Sequence, residues 1–103
     1  MATAFLVEIP GVTEDEYEAV TRKVNEAGPP AGCIFHGGGR FEGGVRLLEV
    51  WESPEAAQAF YSSQLLREAT TDAGGAASRE QPKVIMTWPL RGIDDGTGWR
   101  RVS

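Results

Sequence analysis

An α+β sandwich with elements in the order β-α-β-β-α-β is the fold this 103-residue sequence predicts. Three observations lead to it. Two helix starts are written in capping chemistry, at Thr13-Glu14-Asp15-Glu16 and at Ser53-Pro54-Glu55. Four short apolar segments with period-two alternation flank those helices. Gly and Pro clusters at 10–11, 28–30, 37–44 and 74–75 then mark the connections.

Residues 3–9 (Thr-Ala-Phe-Leu-Val-Glu-Ile) form the first strand, stopped by Pro10-Gly11. Thr13 and Glu16 have the capping-box spacing, and three first-turn acids suit the positive end of a helix dipole. Tyr17, Val20, Val24 and Ala27 fall on one face of that helix, which favours packing for Tyr17 over contact of its hydroxyl with a substrate phenol. Gly28-Pro29-Pro30 closes it. A short second strand spans Gly32 to His36, and Gly37–Gly44 reads as a turn-rich hairpin connection. The third strand runs from about Val45 to Glu52. Ser53 and Pro54 open a second helix that reaches about Asp72 before Gly74-Gly75. Lys83 to Trp88 is the fourth strand, ended by Pro89. The sequence thus divides into a ferredoxin-like domain over 1–90 and a Gly/Asp-rich tail over 91–103, whose glycines favour mobility.

Such a sandwich lays both helices on one face of a four-stranded antiparallel sheet and leaves the other open. Alternation places Phe5, Val7 and Ile9 on one side of the first strand, and Val45, Leu47, Glu49 and Trp51 on one side of the third. Val84, Met86 and Trp88 share a side of the fourth. Both faces are largely apolar, so the open one calls for a cover, most simply the same face of a second copy.

Composition narrows the function. A hydrophobic content of 41% is that of a globular chain, and a net charge of −5 opposes nucleic acid as partner. No apolar run approaches the roughly 20 residues of a membrane span. A single cysteine, Cys33, excludes an internal disulfide, fits a reducing cytoplasm and reads as an inert small hydrophobe. There is no phosphate-cradling loop with its lysine, no nucleophile elbow and no metal-ligand spacing, so no cofactor or metal is expected.

Glu49-Val50-Trp51-Glu52-Ser53 running into Glu55-Ala56-Ala57 resembles the strand-to-helix join of the dimeric α/β-barrel superfamily, in particular its antibiotic-biosynthesis-monooxygenase-like proteins. The resemblance covers residues 3–90. It implies two ferredoxin-like units joined through their sheets, with a small-molecule cavity between sheet and helices. Activities of that superfamily include cofactor-independent oxygenation of phenolic polyketides, haem degradation, isomerisation and cyclisation. The haem-degrading branch shares a Trp like Trp51 but uses a His in the second helix as iron ligand. Phe60, Tyr61 and Ser62 stand there instead, which marks haem down.

Against that background His36 and Glu49 are the acid–base candidates. His36, the sole histidine, is expected at a strand end beside the glycine loop, reaching a cavity mouth, bonded to hairpin backbone or simply solvated. Glu49 shares a face with Leu47 and Trp51, where burial would raise its pKa unless an arginine pairs with it. Trp51, Trp88 and Tyr61 are the substrate-binding candidates, the tryptophans by stacking and the tyrosine by its hydroxyl. The expectation is a homodimeric, cofactor-independent enzyme, monooxygenase-like or a cyclase or isomerase, acting on a planar aromatic compound. Its rival is a non-catalytic binding or dimerisation module, with haem binding a third and weaker reading.

Overall fold

A computed structural model describes residues 1–103. Four strands, β1 (Thr3–Pro10), β2 (Cys33–Phe41), β3 (Gly44–Trp51) and β4 (Lys83–Pro89), form one antiparallel sheet in the order β2-β3-β1-β4. Helix α1 (Glu14–Glu26) joins β1 to β2. Three helices, α2 (Pro54–Tyr61), α3 (Gln64–Ala73) and α4 (Gly75–Arg79), join β3 to β4. This is the split β-α-β arrangement of a ferredoxin-like sandwich.

The caps act as the letters imply. Thr13 Oγ1 accepts from the Glu16 amide at 3.1 Å, and Glu16 returns the bond to the Thr13 amide at 3.1 Å. Ser53 Oγ accepts from the Ala56 amide at 3.1 Å, with Pro54 at the first helical position. The single second helix expected up to Asp72 is instead interrupted at Ser62-Ser63. Ser63 turns its hydroxyl on the Leu66 amide at 3.2 Å and starts α3, a second N-cap inside one apolar periodicity.

The glycine stretch also differs from expectation. β2 does not stop at His36; it continues through Gly37, Gly38 and Gly39, and the turn is confined to Glu42-Gly43. The reason lies above the strand. A Cβ on Gly38 would stand 2.6 Å from Tyr17 Cζ and 2.8 Å from Leu47 Cδ2, so the strand is bare where the tyrosine crosses it.

Register fixes which side chains share a face. Phe5 pairs with Glu49 and Thr87, Val7 with Leu47, and Ile9 with Val45. This face meets the helices: Val7, Val12, Val45, Leu47, Ala76 and Ala77 form the buried core, with Phe5, Ile9, Tyr17 and Val20 packed against it. Leu6, Leu48 and Met86 line up on the opposite face, as do Ala4, Val50 and Trp88. The simple alternation expected for β4 fails at one bulge. Met86 pairs with Leu6 but Val84 pairs with Val7, so Ile85 is an extra residue and the two ends of β4 face opposite ways.

On the open face Leu48, Met86 and Trp88 are 42%, 56% and 38% exposed. Beside them Arg46 grips Glu8 across the strands at 2.6 Å, and its guanidinium lies 4.6 Å above the Phe41 ring. The tail is ordered. β5 (Gly92–Asp94) and β6 (Trp99–Arg101) form a hairpin in which the Trp99 indole lies directly over Gly92. Ser103 Oγ accepts from the Ala2 amide at 2.7 Å and ties the hairpin back to the start of β1.

Candidate functional site

A cavity of about 1020 Å³ lies between the sheet's inner face and the helices. Its floor carries Glu49, whose side chain is only 1% exposed. A carboxylate that far from water needs donors on every side. Trp51 Nε1 donates to Oε1 at 3.1 Å, Tyr61 donates to Oε2 at 2.8 Å, and His36 Nδ1 lies 3.2 Å from Oε2. The donors come from three elements: Trp51 two residues along β3, His36 directly opposite on β2, and Tyr61 at the end of α2. No buried side-chain nitrogen or oxygen in the molecule is left without a partner.

The electrostatics follow from that shell. Burial works to raise the Glu49 carboxyl, but the hydrogen bonds from His36, Trp51 and Tyr61, with the His36 charge, outweigh it and hold the group below its ordinary value. The expectation that burial would raise it is thus reversed by three convergent donors. Tyr61 moves the other way: burial first, then the Glu49 charge beside it, pushes its hydroxyl far up and keeps it protonated.

His36 extends the chain of contacts. Nδ1 faces the carboxylate and so carries a proton, which in the neutral ring leaves Nε2 to present its lone pair. Nε2 lies 2.8 Å from the Tyr17 hydroxyl, and the two rings stack at 5.9 Å with their planes 10° apart. His36 therefore sits mid-strand and mid-network, not at a strand end beside a loop. Burial raises the Tyr17 hydroxyl, a hydrogen bond from Thr21 opposes it in part, and the Glu49 charge adds a smaller rise. The result is one connected path, Tyr17–His36–Glu49, with Trp51 and Tyr61 bracing its far end.

The structure brings together four of the five residues singled out from sequence: His36, Glu49, Trp51 and Tyr61 all line the cavity. Trp88 does not. It pairs with Ala4, one residue out of phase with Phe5 and Glu49, and so lies on the open face of the sheet. Aromatic character on the cavity side is supplied by Phe60, whose ring centroid lies 5.3 Å from that of Trp51. Tyr17, for which the helical stripe favours packing over contact with a substrate phenol, brings its hydroxyl to the cavity instead. A hydroxyl on an apolar stripe needs a polar partner, and that was the available signal. Cys33 also borders the cavity and is half-buried, with its thiol pushed up by burial and then by the Glu49 charge. No three His, Cys, Asp or Glu side chains gather at metal-binding distance. No helix is long and apolar enough to cross a membrane.

No family model and no curated protein matches the sequence. Among solved structures, a protein from Chloroflexus aurantiacus J-10-fl, provisionally described as an antibiotic biosynthesis monooxygenase, shares the fold. The two align with a TM-score of 0.56 over 93% of this chain and 100% of the other, at 18% identity. The chain thus shares the ferredoxin-like α+β fold of that structure.

Proposed function

We propose that this chain is a small acid–base enzyme acting on a planar phenolic or enolic compound held in the inner cavity, without a bound cofactor. The observation that carries the reading is the Glu49–His36 pair on the cavity wall, in which a buried carboxylate fixes the tautomer of an imidazole. Glu49, held ionised below its ordinary pKa, is a positioning residue rather than the base. It aims His36 and faces the positive charge that the ring gains on taking a proton. Trp51 and Phe60 form an aromatic wall suited to a flat ring.

Removing the proton from a phenol or enol leaves an electron-rich anion. With dioxygen as co-substrate, a ring CH2 conjugated to that oxygen becomes a carbonyl. One oxygen atom stays on carbon and the other leaves as water with the two hydrogens. Without oxygen, the same deprotonation drives enolisation, and hence cyclisation or isomerisation. The described activity of the Chloroflexus protein favours the oxygenase. For the haem reading, Tyr61 is the one ligand at the matching place, and its hydroxyl is already committed to Glu49.

The test follows conversion of 1,8-dihydroxyanthrone to its anthraquinone, with oxygen uptake recorded in parallel. Wild-type protein should exceed the spontaneous rate, and His36→Ala and Glu49→Gln should each lose on the order of 100-fold. Wild-type protein that accelerates neither this oxidation nor deuterium exchange into a 1,3-diketone would leave a non-catalytic binding module in its place.

The open face belongs to the same proposal. Leu48, Met86 and Trp88 expose a contiguous apolar strip, and a second copy of the chain offers the matching surface. We take the working unit to be a homodimer joined through these sheets.

A further inference from the structure

We infer that Tyr17, not His36, is the group that meets the substrate, accepting its O–H while handing its own proton to His36 Nε2. The inference rests on the acid–base reading above and names the atom at which that chemistry begins. The only lone pair that His36 offers is already taken, since Nδ1 faces Glu49 at 3.2 Å and Nε2 faces the Tyr17 hydroxyl at 2.8 Å. A substrate in the cavity reaches the imidazole only by displacing Tyr17 or by passing its proton through it. The surroundings favour passage. Tyr17 is stacked on His36 and lodged over Gly38, whose bare backbone leaves room for it. Its hydroxyl, having donated to Nε2, keeps a lone pair for a donor arriving from the cavity that Tyr17 lines.

The transfer balances without a tyrosinate. The substrate O–H bond breaks as a new bond forms to the Tyr17 oxygen. The original Tyr17 O–H bond breaks as its proton joins Nε2. The products are a substrate oxyanion, a neutral tyrosine and an imidazolium facing the Glu49 carboxylate. Concerted passage is required, because burial, the largest influence on this hydroxyl, outweighs the Thr21 hydrogen bond and makes a free tyrosinate unfavourable here.

A selectivity follows. The position facing Tyr17 accepts only a hydrogen-bond donor, so a phenol or enol fits and an aryl ether does not. A carboxylate there would bring no proton and would face the charge of Glu49.

Because His36 is the only histidine, 15N-histidine labelling reports on this imidazole alone. The probes are 1-naphthol and 1-methoxynaphthalene, titrated into wild-type, Tyr17→Phe and Gly38→Ala protein. Wild type should bind the naphthol roughly fivefold more tightly than the ether, the worth of one net hydrogen bond, and the naphthol alone should move the Nε2 resonance. Tyr17→Phe should bring the preference to about one. Gly38→Ala, which keeps the hydroxyl but pushes the ring off the strand, should do the same, so a folding defect in either variant is not decisive. A preference that persists or grows in Tyr17→Phe would show the tyrosine to be a plug and overturn the relay. Failure of both probes to bind wild type would remove the cavity reading, and this inference with it. A Tyr17-dependent preference in protein inert toward 1,8-dihydroxyanthrone would keep the contact and discard the oxygenation alone.

Discussion

Glu49 shows how little a residue's burial says about its charge until its partners are counted. Its carboxyl lies below its ordinary value of 4.5 in the folded chain, because three donors outweigh the cost of leaving water. The unfolded chain therefore binds that proton more readily than the folded one does. The stabilisation is complete above the unfolded pKa and is lost as pH falls through the lower, folded value. Melting temperature should drop on acidification below about pH 4.5, and Glu49→Gln, less stable at pH 7, should drop less over the same range. Parallel curves for the two proteins would remove Glu49 as the responsible group. Tyr61→Phe takes away one donor and nothing else of comparable size. It should cost about 1–2 kcal/mol in chemical denaturation and move the acid transition of the wild-type protein to higher pH.

At the scale of elements, the caps were the most legible part of the sequence. Thr13 with Glu16 and Ser53 with Pro54 mark two helix starts because a side-chain acceptor must meet an amide that has no helical partner. The same chemistry concealed the third start, since Ser63 sits inside an apolar rhythm that spans α2 and α3. Ser63→Ala should cost about 1 kcal/mol, with helix content falling at 222 nm, while Ser62→Ala should change little. The extent of β2 was not legible, because three glycines carry no period-two signal and the reason for the middle one, Gly38, lies twenty-one residues upstream, in Tyr17. Four site residues were visible because β3 alternation and the Trp-Glu-Ser join fix Glu49 and Trp51, with His36 and Tyr61 as nearby polar groups. Trp88 was misplaced because a bulge at Ile85 reverses the end of β4, and no letter marks a bulge.

For the whole molecule the decisive surface is the open sheet face. A 103-residue chain hides only about two-thirds of its unfolded surface, so covering a second apolar face adds stability that one copy cannot supply. Native mass spectrometry should find twice the 11.1 kDa chain mass in wild type. Met86→Asp or Leu48→Asp should shift it to the monomer with the inner cavity intact. A wild-type monomer at micromolar concentration would count against the dimer.

One consequence concerns how the molecule breathes. β2 lies at the sheet edge, paired on one side only, and its middle is Gly37-Gly38-Gly39. Glycine gains more freedom on release than any other residue, and an edge strand breaks one ladder instead of two. Of the two edge strands β2 is the one with glycines at its centre, and its peeling from β3 carries the imidazole away from its carboxylate. Amides of 37–41 should exchange with deuterium sooner than those of β1 and β3. Each such excursion strips Glu49 of its His36 contact for a moment, so the lifetime of that contact depends on three residues that have no side chains at all.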